Sequence, residues 1–267
     1  MKLEQKLSVA VMAFVSIVLL AMFTLHFYPL NLSDSTFVFL QDILIALAAL
    51  AAASMSFILI QLKTDFRGAW KYLAIGLGAW TIGEFVWFTY ENVFGVLNPF
   101  PSLADVFWAA GYLPLAIGLA IYIKDIKAEK LFKSFFASVV GVVGTSFALI
   151  GLFGFDIFPS KGLLDGILAL AYLIGDACLI FLSAILLGGV LKKHGKNEIG
   201  LWAFLAVGFL FIAVYDIMFS YIVGNDLTTV GDISNVVYVA AYFFITIAAF
   251  LAIKSKSEKI VYPHAEQ

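Results

Sequence analysis

Cysteine is almost absent from this sequence. The single Cys178 excludes a disulfide framework and a thiolate metal site. Histidine is nearly as scarce: His26, His194 and His264 fall at the end of an apolar stretch, in a polar connection and in the terminal segment. They cannot meet as a metal triad, and the paired histidines on facing helices that hold a haem are missing. Charge is scarce too, at 13% of residues against 63% hydrophobic. The mean hydropathy of +1.03 lies outside the range of a soluble globular domain. No lysine falls inside an apolar stretch, which argues against a retinal Schiff base. Phosphate loops, dinucleotide fingerprints, a Ser-His-Asp grouping and a His-Glu-x-x-His motif are all missing. No cofactor is recognisable, nucleophile-based hydrolysis has little support, and nothing points to a nucleic-acid partner.

The sequence is rich instead in long apolar runs. Eight of them, near 7–28, 36–62, 72–93, 103–123, 134–155, 163–191, 200–223 and 231–253, approach the roughly 20 residues needed to cross a hydrocarbon core. The expected fold is therefore all-α: a polytopic membrane protein of eight transmembrane helices. The first run has a basic start but is longer than a signal-peptide core and lacks a small-residue cleavage pattern, so it reads as a retained helix.

Fifteen of the sixteen basic residues fall on alternate connections, Lys161 being the exception, and seven of the eighteen acids accompany them. The face carrying them has a net charge near +8 and the remainder near −10. Basic loops stay in the cytoplasm, so both termini are expected there and the chain is placed in the cell membrane. The same lysines can meet anionic lipid headgroups, though topology alone accounts for them.

An internal repeat organises the chain. Trp70 pairs with Trp202, Gly76 with Gly208 and Glu84 with Asp216 at an offset of 132; Asp105 then pairs with Asn235, Tyr112 with Tyr242 and Lys124 with Lys254 at 130. The reading is two four-helix halves, 1–126 and 127–254, in parallel topology, with a polar tail at 255–267. Asp165 and Tyr172 repeat the spacing of Asp105 and Tyr112, and Asp42 opens the second stretch similarly, so a helical hairpin of about 65 residues is a candidate ancestral unit.

Eight acids lie in the apolar stretches without a basic partner: Asp42, Glu84, Glu91, Asp105, Asp165, Asp176, Asp216 and Asp232. Each costs roughly 2.5–3.5 kcal/mol at bilayer depth, so such groups face a bundle interior or a wet cavity. Asp42, Asp105, Asp165 and Asp232 lie close to helix starts, where capping explains an acid; Ser102-Leu-Ala-Asp105 resembles a capping box. Glu84, Asp176 and Asp216 lie beyond any cap and are the strongest candidates, and the tentative ligands of a bound cation. The candidate ligand-binding residues are Glu84, Trp87, Glu91, Asp105, Tyr112, Tyr172, Asp176 and Asp216; Glu84, Trp87 and Glu91 share one helical face, as do Asp105, Trp108 and Tyr112, and Asp165, Tyr172 and Asp176. Each face has an aromatic N–H or O–H to donate, so either protons with hydrogen bonds or a cation can make the acids tolerable. Pro114, between Gly111 and Gly118, permits a kink or a close helix approach, and Asn98-Pro-Phe-Pro101 reads as a loop brace.

The segments Trp80-Thr-Ile-Gly-Glu84, Trp87-Phe-Thr-Tyr90-Glu91 and Pro99-Phe-Pro-Ser-Leu-Ala-Asp105-Val-Phe-Trp108-Ala-Ala-Gly-Tyr112 resemble the multi-helix membrane sensor region at the N-terminus of many prokaryotic signalling proteins. Ala171-Tyr-Leu-Ile-Gly-Asp176 and Val214-Tyr-Asp216 look similar, so the likeness spans most of the third to eighth stretches. In that family the region often precedes a diguanylate cyclase of the GGDEF type, a phosphodiesterase or a histidine kinase. The resemblance implies ligand sensing. Only about fourteen polar residues follow the last stretch, so no output module is expected and a signal would pass through a partner protein. Three functions follow in order of support. The first is a sensor or binding module whose outward pocket takes a cation or a small cationic ligand. The second is an intramembrane lipid-processing enzyme using carboxylates as acid and base, loosely like lysoplasmalogenases. The third is a transporter coupled to protons or sodium.

Overall fold

The computed structural model describes residues 3–62, 67–125, 163–193, 196–224 and 232–261. Among these residues there are seven helices: α1 (Leu3–Phe27), α2 (Asp34–Gln61), α3 (Arg67–Asn92), α4 (Leu103–Asp125), α5 (Leu163–Lys193), α6 (Lys196–Gly224) and α7 (Ser234–Val261). No strand occurs among them. Helices are the expected solution, because apolar solvent satisfies no backbone N–H or C=O and each segment must pair its own.

Six of the seven, all but α3, are long and apolar enough to cross a bilayer, which makes this a multi-pass membrane protein. The sequence count of eight is therefore met only in part. The third expected span folds as α3, but its glycines, threonines, tryptophans and two glutamates make it less apolar than the others. The fifth expected span, 134–155, lies outside the described residues. Several helices also run past their apolar stretches; α7 continues to Val261, because a polar end can go on winding after the apolar run stops.

Helices α2, α3, α4, α5, α6 and α7 touch in sequence order, and α7 closes the ring against α2. Helix α1 packs outside the ring against α2 and α7. The ring has two unlike ends. Trp70 and Trp202 are fully buried at the end where α3 and α6 begin, and Tyr122 stacks on Trp202 with ring centroids 4.5 Å apart. The other end, where α3 and α6 finish and α2, α4 and α7 start, holds the intramembrane acids.

Glycines set the helix spacing. A Cβ on Gly76 of α3 would stand 2.7 Å from the Gly111 carbonyl of α4 and 2.5 Å from the Leu115 side chain. A Cβ on Gly208 of α6 would meet Ile245 at 2.6 Å and the Ala241 carbonyl at 3.2 Å on α7. Gly111 and Leu115 are offset from Ala241 and Ile245 by the same 130 residues read from the sequence, so α3·α4 and α6·α7 are locked by corresponding positions. The glycine at Gly118 likewise lets α4 approach Ala69 of α3, where a Cβ would lie 2.7 Å from the backbone oxygen. This is the close approach expected around Pro114, which α4 accommodates inside its length.

Candidate functional site

The capping expectations divide. Ser102 accepts from the Ala104 N–H, and Asp105 accepts from the Ser102 N–H at 2.6 Å, which makes the reciprocal capping box expected at the start of α4. Asp232 accepts from the Ser234 N–H at 2.9 Å and caps α7. Asp42 does not cap. Helix α2 starts at Asp34 behind the N-cap Ser33, two turns before Asp42, and Asp42 is buried. It accepts from the Asn92 amide at 2.7 Å, and its carboxyl group is within hydrogen-bonding reach of Glu91. Asp165 falls in the first turn of α5, but its side chain is outside the described residues.

The midplane acids take their donors from neighbouring helices. Glu84 of α3 is buried, and its Oε1 accepts from Trp108 Nε1 of α4 at 3.1 Å, from the Tyr242 hydroxyl of α7 at 2.8 Å and from the Tyr238 hydroxyl. Three donors on one oxygen leave Oε2 with no partner among the described residues. Tyr112 of α4 donates to Asp176 of α5 at 2.7 Å and to Asp216 of α6 at 3.1 Å, and those two carboxyl groups are within hydrogen-bonding reach of each other. Tyr172 of α5 donates to Asp105 of α4 at 2.6 Å, so the capping acid also joins α4 to α5. Every aromatic on the three expected faces that donates does so across to another helix. Trp87 instead lies against Trp108 and Phe219, with ring centroids 5.5 and 5.8 Å apart.

Two of these contacts correspond through the repeat. The Tyr112–Asp216 bond runs from α4 to α6, and the Tyr242–Glu84 bond runs from α7 to α3. Exchanging the halves by the offsets 130 and 132 turns one into the other. Glycine makes room for the two α4 donors on both neighbouring helices. A Cβ on Gly83 would lie 2.7 Å from Trp108 Nε1, and one on Gly175 would lie 2.5 Å from the Tyr112 ring. Each glycine directly precedes the acid that its aromatic neighbour serves.

A cavity of about 180 Å³ opens at this end of the ring. Its lining includes the acids Asp42, Glu84, Glu91 and Asp232 and the aromatics Trp87, Trp108, Tyr215, Phe219 and Tyr238, with no lysine or arginine among the described residues. A space of that size holds several water molecules or a small organic ion. A second, smaller space of about 40 Å³ lies behind the same aromatic wall and touches Asp105, Tyr112, Tyr172 and Asp216. The structure thus brings Glu84, Trp87 and Glu91 to one cavity and Asp105, Tyr112, Tyr172 and Asp216 to the other. Asp176 is buried behind Tyr112. Glu84 does not join Asp176 and Asp216 as a third ligand, because their donors hold them in separate groups. Among the described residues, no three His, Cys, Asp or Glu side chains are grouped to hold a metal ion.

Sequence reasoning assigned Asp42 to a helix start and missed Tyr215, Tyr238 and Tyr242 as site residues. The repeat carried a signal for two of them: Tyr242 is the partner of Tyr112, and Tyr238 stands 130 residues after Trp108. Removing the Tyr112 hydroxyl tests the network directly. Tyr112→Phe is expected to lower stability by about 1–3 kcal/mol, because two carboxyl groups lose a shared donor. Tyr242→Phe should cost less, since Glu84 keeps Trp108 and Tyr238. Thermal unfolding of the two purified variants compares them.

No family model, curated protein or solved structure matches the chain.

Proposed function

We propose that this chain is an eight-span membrane sensor or binding module, built from two parallel four-helix halves, with both termini in the cytoplasm. Its outward cavity takes a cation or a small ligand bearing positive charge, and occupancy is felt by a partner protein through rearrangement of the helices. The observation that carries this reading is the cavity lining, which combines four acids with five aromatic rings and no basic side chain among the described residues. Carboxylates supply charge, and the faces of tryptophan and tyrosine attract cations, worth about 2 kcal/mol or more where water is excluded. A cavity of one sign also concentrates ions of the other sign.

The route from occupancy to helix position runs through Glu84. Its carboxylate belongs to α3, while its three donors belong to α4 and α7. A cation on the same carboxylate draws its charge away from those donors and so changes the contacts that hold three helices together. The placement of basic residues supports the outward orientation of the cavity, because Lys71, Lys124 and Lys254 all lie toward the opposite end of the helices.

A thermal-shift survey of the purified protein with inorganic cations, amines and lipids tests the proposal. Cationic ligands are expected to raise the Tm in a saturable way, since anything that binds only the folded state stabilises it by mass action. No response in the wild type, or an equal response in the double variant Glu84→Gln/Asp216→Asn, would count against it.

A further inference from the structure

The cavity has carboxyl groups at two levels and an apolar wall between them. Glu84 and Glu91 are seven residues apart on α3, two turns along one face, which separates them by about 10 Å along the helix axis. Trp87 stands between them on that face, three residues from one and four from the other. Its indole packs on Trp108 and Phe219, so the stretch between the two acids is aromatic.

Both ends have unfinished chemistry. At the inner end, Glu84 is only 5% exposed, lines the cavity, and has its Oε2 without a donor among the described residues. Open to the cavity and without a protein donor among the described residues, that oxygen is free to accept a charge-assisted hydrogen bond from a ligand. At the outer end, Asp42 and Glu91 come within hydrogen-bonding reach of each other. Asn92 donates to Asp42 at 2.7 Å and the Asn98 N–H donates to Glu91 at 2.8 Å. Carboxyl groups that close are neutralised by a shared proton or by a neighbouring cation.

We propose that the cavity is shaped for a short alkyl diamine, with one ammonium on Glu84 Oε2, the other on the Asp42–Glu91 pair, and the methylene chain against Trp87. The inference rests on the cation-binding reading above and narrows it. Hydrogen bonds of about 2.8 Å at each end take up part of the separation, leaving a span that a chain of a few methylenes fills. The aromatic wall suits an alkyl stem better than a hard divalent ion, which takes about six oxygen ligands.

Calorimetric titration of the full chain in nanodiscs, with diaminobutane, butylamine and tetramethylammonium as separate probes, tests this. Diaminobutane is expected to bind about tenfold or more tighter than butylamine, because only it makes the second charged contact. In Glu91→Gln the two should approach each other in affinity, whereas Glu84→Gln should weaken both. Equal affinity of diaminobutane and butylamine in the wild type would overturn the diamine assignment and leave the cation site standing. Absence of binding by all three probes would overturn both. The wild-type comparison requires no variant to fold.

Discussion

Glu84→Gln is expected to weaken binding of a cationic ligand by about 30-fold or more while the protein stays folded. The large effect on binding comes from removing one member of a buried charge pair, which costs about 2–5 kcal/mol. Geometry adds to it. Trp108, Tyr238 and Tyr242 all donate to one oxygen, so a glutamine at this position must turn its amide oxygen to them. Its NH₂ group then faces the cavity, where the ligand also has only donors to offer. Stability should change by about 1 kcal/mol or less, because the three donors keep an acceptor. Glu84→Leu provides the contrast: it strands three buried donors at roughly 1–3 kcal/mol each and is expected to compromise the fold itself. Ligand titration and thermal unfolding of the two variants separate the charge from the scaffold.

The second large effect concerns the ring. Gly76→Ala is expected to destabilise the protein by about 2–3 kcal/mol, at the upper end of overpacking costs. The added methyl meets the Gly111 carbonyl, which is backbone and cannot turn aside without moving α4. Gly208→Ala, at the corresponding place in the other half, should cost about 1 kcal/mol. A side chain is the closest atom at both sites, but at Gly208 the nearest backbone atom, the Ala241 carbonyl, stands 3.2 Å away instead of 2.7 Å. Thermal unfolding in one detergent ranks them, and equal losses would mean that the backbone contact does not limit α3·α4 packing.

Much of the architecture was legible in the sequence because bilayer solvent imposes length and polarity on each helix. Alternation of lysine-rich connections, and acids confined to stretches without lysine, already implied that polarity gathers at one end. The capping box at Ser102 and Asp105 was legible because its residues are local. Asp42 was misread because nearness to the helix start was taken for capping: it lies two turns inside α2, beyond the reach of the cap at Ser33, and its donor Asn92 belongs to α3. The donors of the midplane acids were not legible from helical faces, since a face says which side chains point together and not which helix lies opposite. Trp108 and Tyr112 lie on one face of α4 yet serve acids on three other helices. Only the repeat crosses that barrier, because it transfers a contact seen in one half to the other. Gly83 and Gly175, each just before its acid, are a separate mark of where the aromatic rings pack, visible as Gly-Glu and Gly-Asp once the donors are known.

On the proposed reading, the cavity binds an organic cation between Glu84 and its aromatic wall. Of the five tryptophans, Trp87 and Trp108 line that cavity while Trp70 and Trp202 are buried at the far end. Titrating butylamine into the purified protein while following intrinsic tryptophan emission is therefore the most direct measurement. The expected result is a saturable change in wild type that is lost in folded Glu84→Gln. No saturable change in wild type, or the same curve in Glu84→Gln, would contradict the claim.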